Sequence, residues 1–265
     1  LVLPAFKAAD FLDLAERERM TYTLIVPAMY NLCLLEPGFA RRDLRAWRVG
    51  GYGGAPMPAA TIASLAEKLP GLALMNAYGA TETTSPATIM PHQETARRRD
   101  SVGLAVPGAD IKVVDEELWI AGPMVVPGYG EDAAATQREF TDGFWRSGDV
   151  GSVDAEGFVR VFDRKKDMIN RGGYKVFSAE VESALAEHPA VLESAVIGVP
   201  CPVLGERVRA FVTTGASPVS AQALREFCAQ RLADYKVPET FVLRREPLPR
   251  NANGKLLKRE LRESR

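Results

Sequence analysis

One loop of the chain has a composition suited to phosphate and a divalent cation. The stretch NAYGATETTSP, residues 76–86, holds a single carboxylate, Glu82, among five hydroxyl-bearing side chains. Threonine hydroxyls and the backbone amides of a glycine-containing turn can donate to phosphate oxygens. Glu82 is a hard oxygen ligand of the kind Mg²⁺ uses beside phosphates. Tyr78 offers a flat ring for stacking. Taken alone, the stretch fits a surface loop rich in turn formers slightly better.

Three further stretches contain residues that could bind a ligand or take part in catalysis. GGYGGAP, residues 50–56, lets backbone approach a flat ligand, although it also fits a tight strand-to-helix turn. Asp149 in WRSGDV could accept hydrogen bonds from two vicinal hydroxyls, or could sit in an ordinary hairpin-edge turn. Lys255 in PRNANGKLLKREL could deliver a positive charge to a developing negative one, or could belong to a solvated basic tail.

Composition restricts the class of protein. The 265 residues carry 33 basic and 34 acidic side chains, so no basic excess indicates nucleic acid. The apolar runs are too short for a transmembrane segment. Three separated cysteines give neither a disulfide framework nor a zinc site, and they favour a reducing, cytoplasmic location. The sequence contains two histidines but no G-x-S-x-G turn, which disfavours the Ser-His-Asp relay of a serine hydrolase.

The elements that would position these residues follow from periodicity. We predict an α/β layer over residues 1–105, from helices over 10–20 and 58–69, a buried strand over 21–27 and a strand over 71–76. Residues 106–165 should form a small β-rich subdomain, with DAEG as a hairpin turn. Residues 166–265 should form an α+β domain in the order β-α-β-β-α-β. Its predicted elements are strand 174–177, helix 179–187, strands 191–199 and 207–213, helix 221–233 and strand 240–245.

Helix caps and a connector complete this prediction. Asp10 and Ser220 are predicted N-caps. The stretch DRKKDMINRGG, residues 163–173, has the composition of a connector. The chain opens with Leu inside a predicted strand, LVLPAF, so we expect a fragment of a longer polypeptide.

The order of these stretches resembles the adenylate-forming superfamily of acyl-CoA synthetases, aryl-CoA ligases, luciferases and peptide-synthetase adenylation domains. The motifs are YGATE, WRSGD, DRKKDMINRGGYKV with EVE, and PRNANGK, and they run through essentially the whole chain. The resemblance implies that ATP and a carboxylic acid give an acyl-adenylate, from which coenzyme A then displaces AMP. The DRKKDMINRGG stretch is similar to the CoA ligases. A peptide-synthetase-type domain, a degenerate synthetase and a non-catalytic AMP-binding fragment are the alternatives.

The resemblance also implies site residues. Tyr78 and Gly79 would lie at the adenine, opposite the backbone of Gly53, Gly54 and Ala55. Thr81 would touch the α-phosphate and Glu82 would bind Mg²⁺. Asp149 and Arg164 would hold the ribose, and Lys255 would bridge the acyl carboxylate and the α-phosphate. Lys166 would be the hinge of a rotating C-terminal domain, whose Gly172 and Gly173 leave room for the pantetheine arm of coenzyme A.

Two departures from the family pattern are evident. The family's phosphate loop, rich in Ser, Thr and Gly with a terminal Lys, has no counterpart in these residues, so we expect the fragment to be inactive alone. The turn in VVDEELWI is shorter than in relatives, which indicates either a tight turn or an omitted loop. The acid substrate is undetermined. Small or neutral residues at the corresponding positions favour a fatty or aromatic monocarboxylic acid over a dicarboxylate; they are Tyr52, Asn76, Ala77, Gly79 and residues 84–88. A homodimer is left open.

Overall fold

The computed structural model describes residues 3, 5–92, 94–215, 218–251 and 255–263. The chain folds into two compact units, one of residues 1–147 with 151–161 and one of residues 148–150 with 162–265. The three-part division at residues 105 and 165 stays a prediction. Of the strand predicted at LVLPAF, residues 1, 2 and 4 lie outside the described residues, and residues 3, 5 and 6 are not in a strand, so that prediction was wrong for them.

The first unit combines helices with most of a long mixed sheet; residues 148–150 of β9 and 162–164 of β10 belong to the second unit. Its helices are α1 (Ala8–Arg17), α2 (Pro27–Leu35), α3 (Ala59–Lys68) and α4 (Ala133–Glu139). The strands of the sheet are β1 (Tyr22–Ile25), β2 (Val49–Tyr52), β3 (Ala73–Gly79), β4 (Pro86–Ile89), β5 (Gly103–Ala105), β6 (Asp110–Val114), β7 (Glu117–Ala121), β8 (Phe140–Thr141), β9 (Phe144–Val153) and β10 (Phe158–Arg164).

Strand order places the carboxyl ends of two parallel strands side by side. The sheet runs β1-β2-β3-β4-β5-β10-β9-β7-β6, with β8 paired to β9. β1, β2 and β3 are parallel, and Tyr52 lies opposite Asn76. β4 then returns antiparallel to β3. Loops that follow β2 and β3 therefore emerge at the same edge, which is where open α/β sheets bind ligands.

The second unit is the predicted α+β domain with two additional elements. Its strands are β11 (Ile169–Arg171), β12 (Tyr174–Val176), β13 (Val191–Cys201), β14 (Gly205–Thr214) and β15 (Thr240–Arg244), and its helices are α5 (Ser178–Ala186), α6 (Ala221–Ala229) and α7 (Lys258–Glu263). The sheet order is β12-β11-β14-β13, and β15 pairs parallel to β14. From β12 to β15 the elements follow the predicted β-α-β-β-α-β order.

Apolar side chains form a core on each side of this second sheet. One core joins α5 and α6 through Val181, Leu185, Leu224 and Cys228. The other contains Leu261 of α7. The C-terminal helix is therefore packed against the sheet.

Several local predictions were wrong for identifiable reasons. Asp10 lies inside the first turn of α1, whose N-cap is Lys7, because the helix begins two residues earlier. The strand predicted as buried, β1, is a sheet edge with Tyr22 and Leu24 more than half exposed. Helix α2 was not predicted, since Pro27 was taken as the end of the strand; it is the first residue of the helix instead.

Two other predictions have clear outcomes. Ser220 caps α6 by accepting from the amide of Ala223, as predicted. The predicted connector over 163–173 is partly strand, because β11 occupies Ile169–Arg171. Among the described residues no helix has both the length and the apolar character needed to cross a membrane.

Candidate active site

The glycine turn after β2 approaches β3 closely. A Cβ atom at Gly53 would collide with the carbonyl oxygen of Ala77, so only glycine fits there. Gly54 adopts a φ of 75°, and Gly54 and Ala55 are both exposed. The turn therefore runs directly beside the strand that leads to Tyr78. Packing alone accounts for Gly53, while the exposed Gly54–Ala55 backbone remains available to a ligand.

The loop after β3 uses its own hydroxyls to hold its shape. The Thr83 hydroxyl accepts from the amide of Ala80 at 2.9 Å and donates to the carbonyl of Ser85 at 2.7 Å. Thr84 donates to the carbonyl of Met124 at 2.9 Å. These residues are therefore structural, which the sequence did not distinguish from ligand-binding hydroxyls. Thr81 is exposed, and its side chain makes no hydrogen bond to another described residue.

One residue of the same loop has a strained backbone. Thr84 has a φ of 50°, a conformation that β-branched residues rarely adopt. Tyr78 is half-buried and packs on a cluster formed by Ala87, Ile120 and Trp145. The loop is thus fixed by hydrogen bonds and by its aromatic residue, and it is held in a costly conformation.

A tyrosine from a distant segment orients Glu82. The Tyr129 hydroxyl donates to Oε1 of Glu82 at 2.9 Å, and the amide of Val126 donates to the Glu82 carbonyl at 2.8 Å. Desolvation and the neighbouring Glu82 raise the pKa of Tyr129. Tyr129 was not predicted, because 47 residues separate it from Glu82.

The single carboxylate fits a magnesium ion better than a metal held by protein alone. Among the described residues no three His, Cys, Asp or Glu side chains converge on one point. Mg²⁺ commonly takes one or two carboxylates and completes its shell with phosphates and water. Glu82, oriented by Tyr129, has the chemistry for that role.

In the second unit, the two predicted ribose residues form an ion pair. Nε of Arg164 lies 2.8 Å from Oδ1 of Asp149, whose side chain is 4% exposed. Asp149 comes from β9 and Arg164 from the end of β10, so sheet pairing brings them together. A carboxylate that is paired with a guanidinium can also accept hydrogen bonds from vicinal hydroxyls.

Lys255 lies in the same electrostatic neighbourhood. Partial desolvation of its ammonium and the Arg164 guanidinium lower the pKa of Lys255, whereas the Asp149 carboxylate opposes them. Oδ1 of Asn251 accepts from the Lys255 amide at 2.8 Å, and the Lys255 carbonyl accepts from the Asn251 amide at 2.9 Å. The loop is therefore closed at its base by Asn251, which was not predicted. Residues 252–254 of the predicted motif lie outside the described residues.

The predicted hinge residue, Lys166, and the pair of glycines each lie in a turn. Lys166 is exposed, in a turn where the amides of Asp167 and Met168 donate to the carbonyl of Arg164 at 2.8 and 2.9 Å. Gly172 and Gly173 have φ of 61° and 89° and connect β11 to β12. The hairpin turn explains both glycines sterically. Their predicted role toward a pantetheine arm and the hinge role of Lys166 stay predictions.

Two groups of residues thus define the class of protein. In the first unit the Gly53–Ala55 turn follows β2, Tyr78 lies near the end of β3, and Glu82 follows β3. In the second, Asp149, Arg164 and Lys255 interact electrostatically. Residues 1–130 match the sequence model of AMP-binding enzymes, and residues 180–255 match that of the AMP-binding enzyme C-terminal domain. The two matches together cover more than half of the chain, so the chain belongs to the AMP-binding enzyme family. The predicted resemblance to the adenylate-forming superfamily and its fold class are confirmed.

Similar proteins include CoA ligases and one amide-forming enzyme. A long-chain-fatty-acid–CoA ligase of Yersinia pestis is 37% identical over 261 residues, which are 94% of this chain and 46% of that enzyme. The amide bond synthetase McbA of Marinactinospora thermotolerans superposes with a TM-score of 0.89 at 30% identity, covering 98% of this chain and 55% of that one.

A further solved structure contains nucleotide and metal. The O-succinylbenzoate coenzyme A synthetase of Bacillus subtilis, solved with ATP and a magnesium ion, superposes with a TM-score of 0.83 at 32% identity; the match covers 98% of this chain and 54% of that one. The chain spans about half the length of the curated relatives that it matches.

Proposed function

We propose that these residues form the nucleotide-binding and lysine-bearing part of an ATP-dependent acid–thiol ligase, an AMP-forming acyl-CoA synthetase. The observation that carries the proposal is the charge arrangement of the second unit. A buried carboxylate, Asp149, pairs with Arg164, and both act electrostatically on the ammonium of Lys255. A ribose-binding carboxylate near a partly desolvated lysine suits chemistry on a nucleotide phosphate.

In the first half-reaction a carboxylate oxygen of the acid attacks the α-phosphorus of ATP. The new P–O bond forms as the bond to the bridging oxygen breaks and pyrophosphate leaves. Both reactants are anionic, so the positive charge of Lys255 stabilises the transition state. Thr81 donates to the α-phosphate, Tyr78 and Gly79 contact adenine opposite Gly53–Ala55, and Asp149 and Arg164 hold the ribose. Magnesium, when bound at Glu82, offsets phosphate charge.

In the second half-reaction the sulfur of coenzyme A attacks the acyl carbon. The C–O bond to AMP breaks, AMP leaves, and the thiol proton passes to solvent. Gly172 and Gly173 lie on an exposed hairpin turn without bulky side chains, which supports a role beside the pantetheine arm. Lys166, in the turn after β10, is the proposed hinge for the change between half-reactions.

The acid we propose is a fatty or aromatic monocarboxylic acid. Tyr52 is buried and hydrogen-bonds Asn76, and desolvation raises the pKa of its phenol. Tyr52, Asn76 and the β4 residues Ala87 and Thr88 are uncharged and buried, so they offer no cation to a second carboxylate. The fatty-acid name of the Yersinia pestis relative agrees with this choice. Cytoplasmic location and a homodimer stay predictions.

A second candidate function differs in the nucleophile that accepts the acyl group. McbA is named as an amide bond synthetase, so an amine could replace the thiol as nucleophile. A peptide-synthetase-type adenylation domain would likewise hand its adenylate to another acceptor, and a degenerate or non-catalytic module would bind AMP only. The motif at 163–173 supports coenzyme A over these alternatives.

Acid-dependent pyrophosphate–ATP exchange tests the proposal. The natural polypeptide that contains residues 1–265 is assayed with a panel of fatty, aromatic and dicarboxylic acids. Lys255→Ala should lower exchange about a hundredfold or more, while leaving thioester formation from supplied acyl-adenylate within about twofold. Arg259→Ala, an exposed cation on α7, is the matched control and should change neither rate.

Three results would distinguish the alternatives. Equal loss in both half-reactions would refute the proposed role of Lys255. Transfer to amines in preference to coenzyme A would favour amide synthesis. The 265-residue chain on its own should bind AMP in calorimetry but show no exchange; absence of heat at millimolar AMP would leave a scaffold.

A further inference from the structure

A largely buried polar network links the lysine-bearing segment to the ribose-binding strand. Nζ of Lys258 donates to Oγ of Ser178 at 2.6 Å and pairs with Oε1 of Glu182 at 2.7 Å. Oγ of Ser178 donates to Oδ2 of Asp163 at 2.7 Å, and the Ser178 amide donates to the same oxygen. Oδ1 of Asp163 accepts from the amide of Arg164 at 2.8 Å. A continuous path therefore runs from Lys258 to the Arg164 backbone.

The network joins three elements of the second unit. Lys258 begins α7, three residues after Lys255, while Ser178 and Glu182 lie on the first turns of α5. Asp163 lies near the end of β10, directly before Arg164. Ser178 is fully buried, Asp163 is 8% exposed, and the Lys258 side chain is 13% exposed. This network was not predicted, because Lys258 belongs to a stretch that also fits a solvated basic tail.

A second ion pair fixes the other end of α7. Arg262 lies 2.7 Å from the Asp167 carboxylate and donates to the carbonyl of Lys166 at 3.4 Å. Leu261, 1% exposed, packs against Ile197 and Phe211 between these two attachments. Helix α7 is thus tied to both sides of the turn that carries Arg164 and Lys166. Together with Asn251, these contacts restrict where the Lys255 loop can lie.

Stability alone is a weak reason for such a network. Desolvation raises the pKa of Glu182, and Lys258 only partly offsets it. Ion pairs removed from water are often no more stabilising than apolar groups of the same size. Directional contacts do, however, specify one arrangement, which a loop bearing a reacting group requires.

We propose that Lys258 is a positioning residue, which acts through Ser178 and Asp163 to hold Lys255 in register with Arg164 and Asp149. The inference rests on the proposed function, since it concerns the placement of the adenylating lysine. Lys258 itself contacts neither substrate nor nucleotide in the proposed arrangement. Its removal should lower the adenylation rate without weakening ATP binding, because a displacement of about 1 Å can cost about a hundredfold in rate.

The test uses Lys258→Met in the natural polypeptide that contains this chain. Pyrophosphate–ATP exchange should fall about 10- to 100-fold in kcat, with KM for ATP within about threefold and thioester formation from supplied acyl-adenylate unchanged. The double variant Lys255→Ala/Lys258→Met should be no slower than Lys255→Ala, since Lys258 acts only through Lys255. Lys258→Arg should retain most activity, and Arg259→Met, exposed on the same helix, all of it.

Hydrogen exchange gives a readout independent of catalysis. Lys258→Met should speed amide exchange at residues 250, 251 and 255–257, and Arg259→Met should not. If Lys258→Met does not fold, Ser178→Ala, which cuts the path and keeps the Lys258–Glu182 pair, decides the question by the same assays. Equal loss in both half-reactions, or multiplicative effects in the double variant, would overturn the proposal. Normal exchange activity in Lys255→Ala would instead refute the proposed function, whatever the amide exchange shows.

Discussion

Asp149 and Arg164 form an ion pair 2.8 Å long, in which the carboxylate is almost fully buried. A charge withdrawn from water in this way needs every hydrogen bond it can accept. In the proposed function the ribose diol supplies two of them. We therefore expect Asp149→Asn to weaken AMP binding to the chain by about 1.5–3 kcal/mol, or roughly tenfold to a hundredfold, by calorimetry.

The sugar gives a sharper control for this prediction. Wild-type chain should prefer AMP to 2′-deoxy-AMP, and Asp149→Asn should lose that preference because the diol contact is gone. Asp110→Asn, at an exposed carboxylate of β6, should bind like wild type. A variant that still discriminates against the deoxynucleotide would show that the ribose is held elsewhere.

Tyr129 should set the metal requirement of the enzyme. Tyr129→Phe removes the hydroxyl that donates to Glu82 and leaves the ring, which packs on Phe140. We expect the Mg²⁺ concentration for half-maximal pyrophosphate–ATP exchange to rise about three- to tenfold, as one neutral-to-charged hydrogen bond is lost. Metal-free AMP binding should not change. Tyr22→Phe, at an exposed tyrosine on β1, is the control, and an unchanged Mg²⁺ dependence in Tyr129→Phe would contradict the prediction.

Whether the sequence could predict a contact in this site depended on how far apart in the chain the two contacting residues lie. Asp149 and Arg164 were each assigned to the ribose through the family resemblance, but their ion pair was not predicted; the hairpin between β9 and β10 places them together. The contacts of Tyr129 with Glu82 and of Lys258 with Ser178 span 47 and 80 residues. Such contacts depend on strand order and helix packing, which single-sequence periodicity does not determine. The buried hydroxyl of Thr83 looked like a ligand for the same reason.

The short turn between β6 and β7 should be strained. Asp115 and Glu116 close it as a two-residue hairpin with φ of 49° and 66°, values that favour glycine or asparagine. Glu116→Gly should raise the free energy of unfolding by about 1 kcal/mol, measured as a higher urea midpoint. Gly157→Ala, at a φ of 86° in the neighbouring hairpin, should lower it by a similar amount. A lower midpoint for Glu116→Gly would mean that the glutamate side chain outweighs the backbone strain.

The three cysteines should differ in reactivity although all are buried. Desolvation raises the pKa of Cys33 to about 12 and that of Cys228 to about 11. Backbone hydrogen bonds from Leu204 and Val203, with Arg207 nearby, lower the pKa of Cys201. Iodoacetamide at neutral pH should therefore label Cys201 first, because the thiolate is the nucleophile. Peptide mapping checks this, and earlier labelling of Cys33 or Cys228 would contradict it.

Lys255 should limit activity at alkaline pH. Its pKa lies below the ordinary 10.5, chiefly because its ammonium is partly desolvated and secondly because Arg164 repels it. The charged form is needed for adenylation, so exchange should decline at lower pH than a lysine with an ordinary pKa would allow. The decline is not unfolding: a lysine whose folded pKa is lowered destabilises the fold below that pKa, and this cost disappears as pH rises. Circular dichroism across the same range should stay constant.

The variant Lys255→Arg provides the control, because arginine keeps its positive charge throughout this pH range. The pH profile of whatever exchange activity it retains should therefore lack the alkaline limb, that is, the decline at high pH. An unchanged limb in that variant would assign the titration to another group.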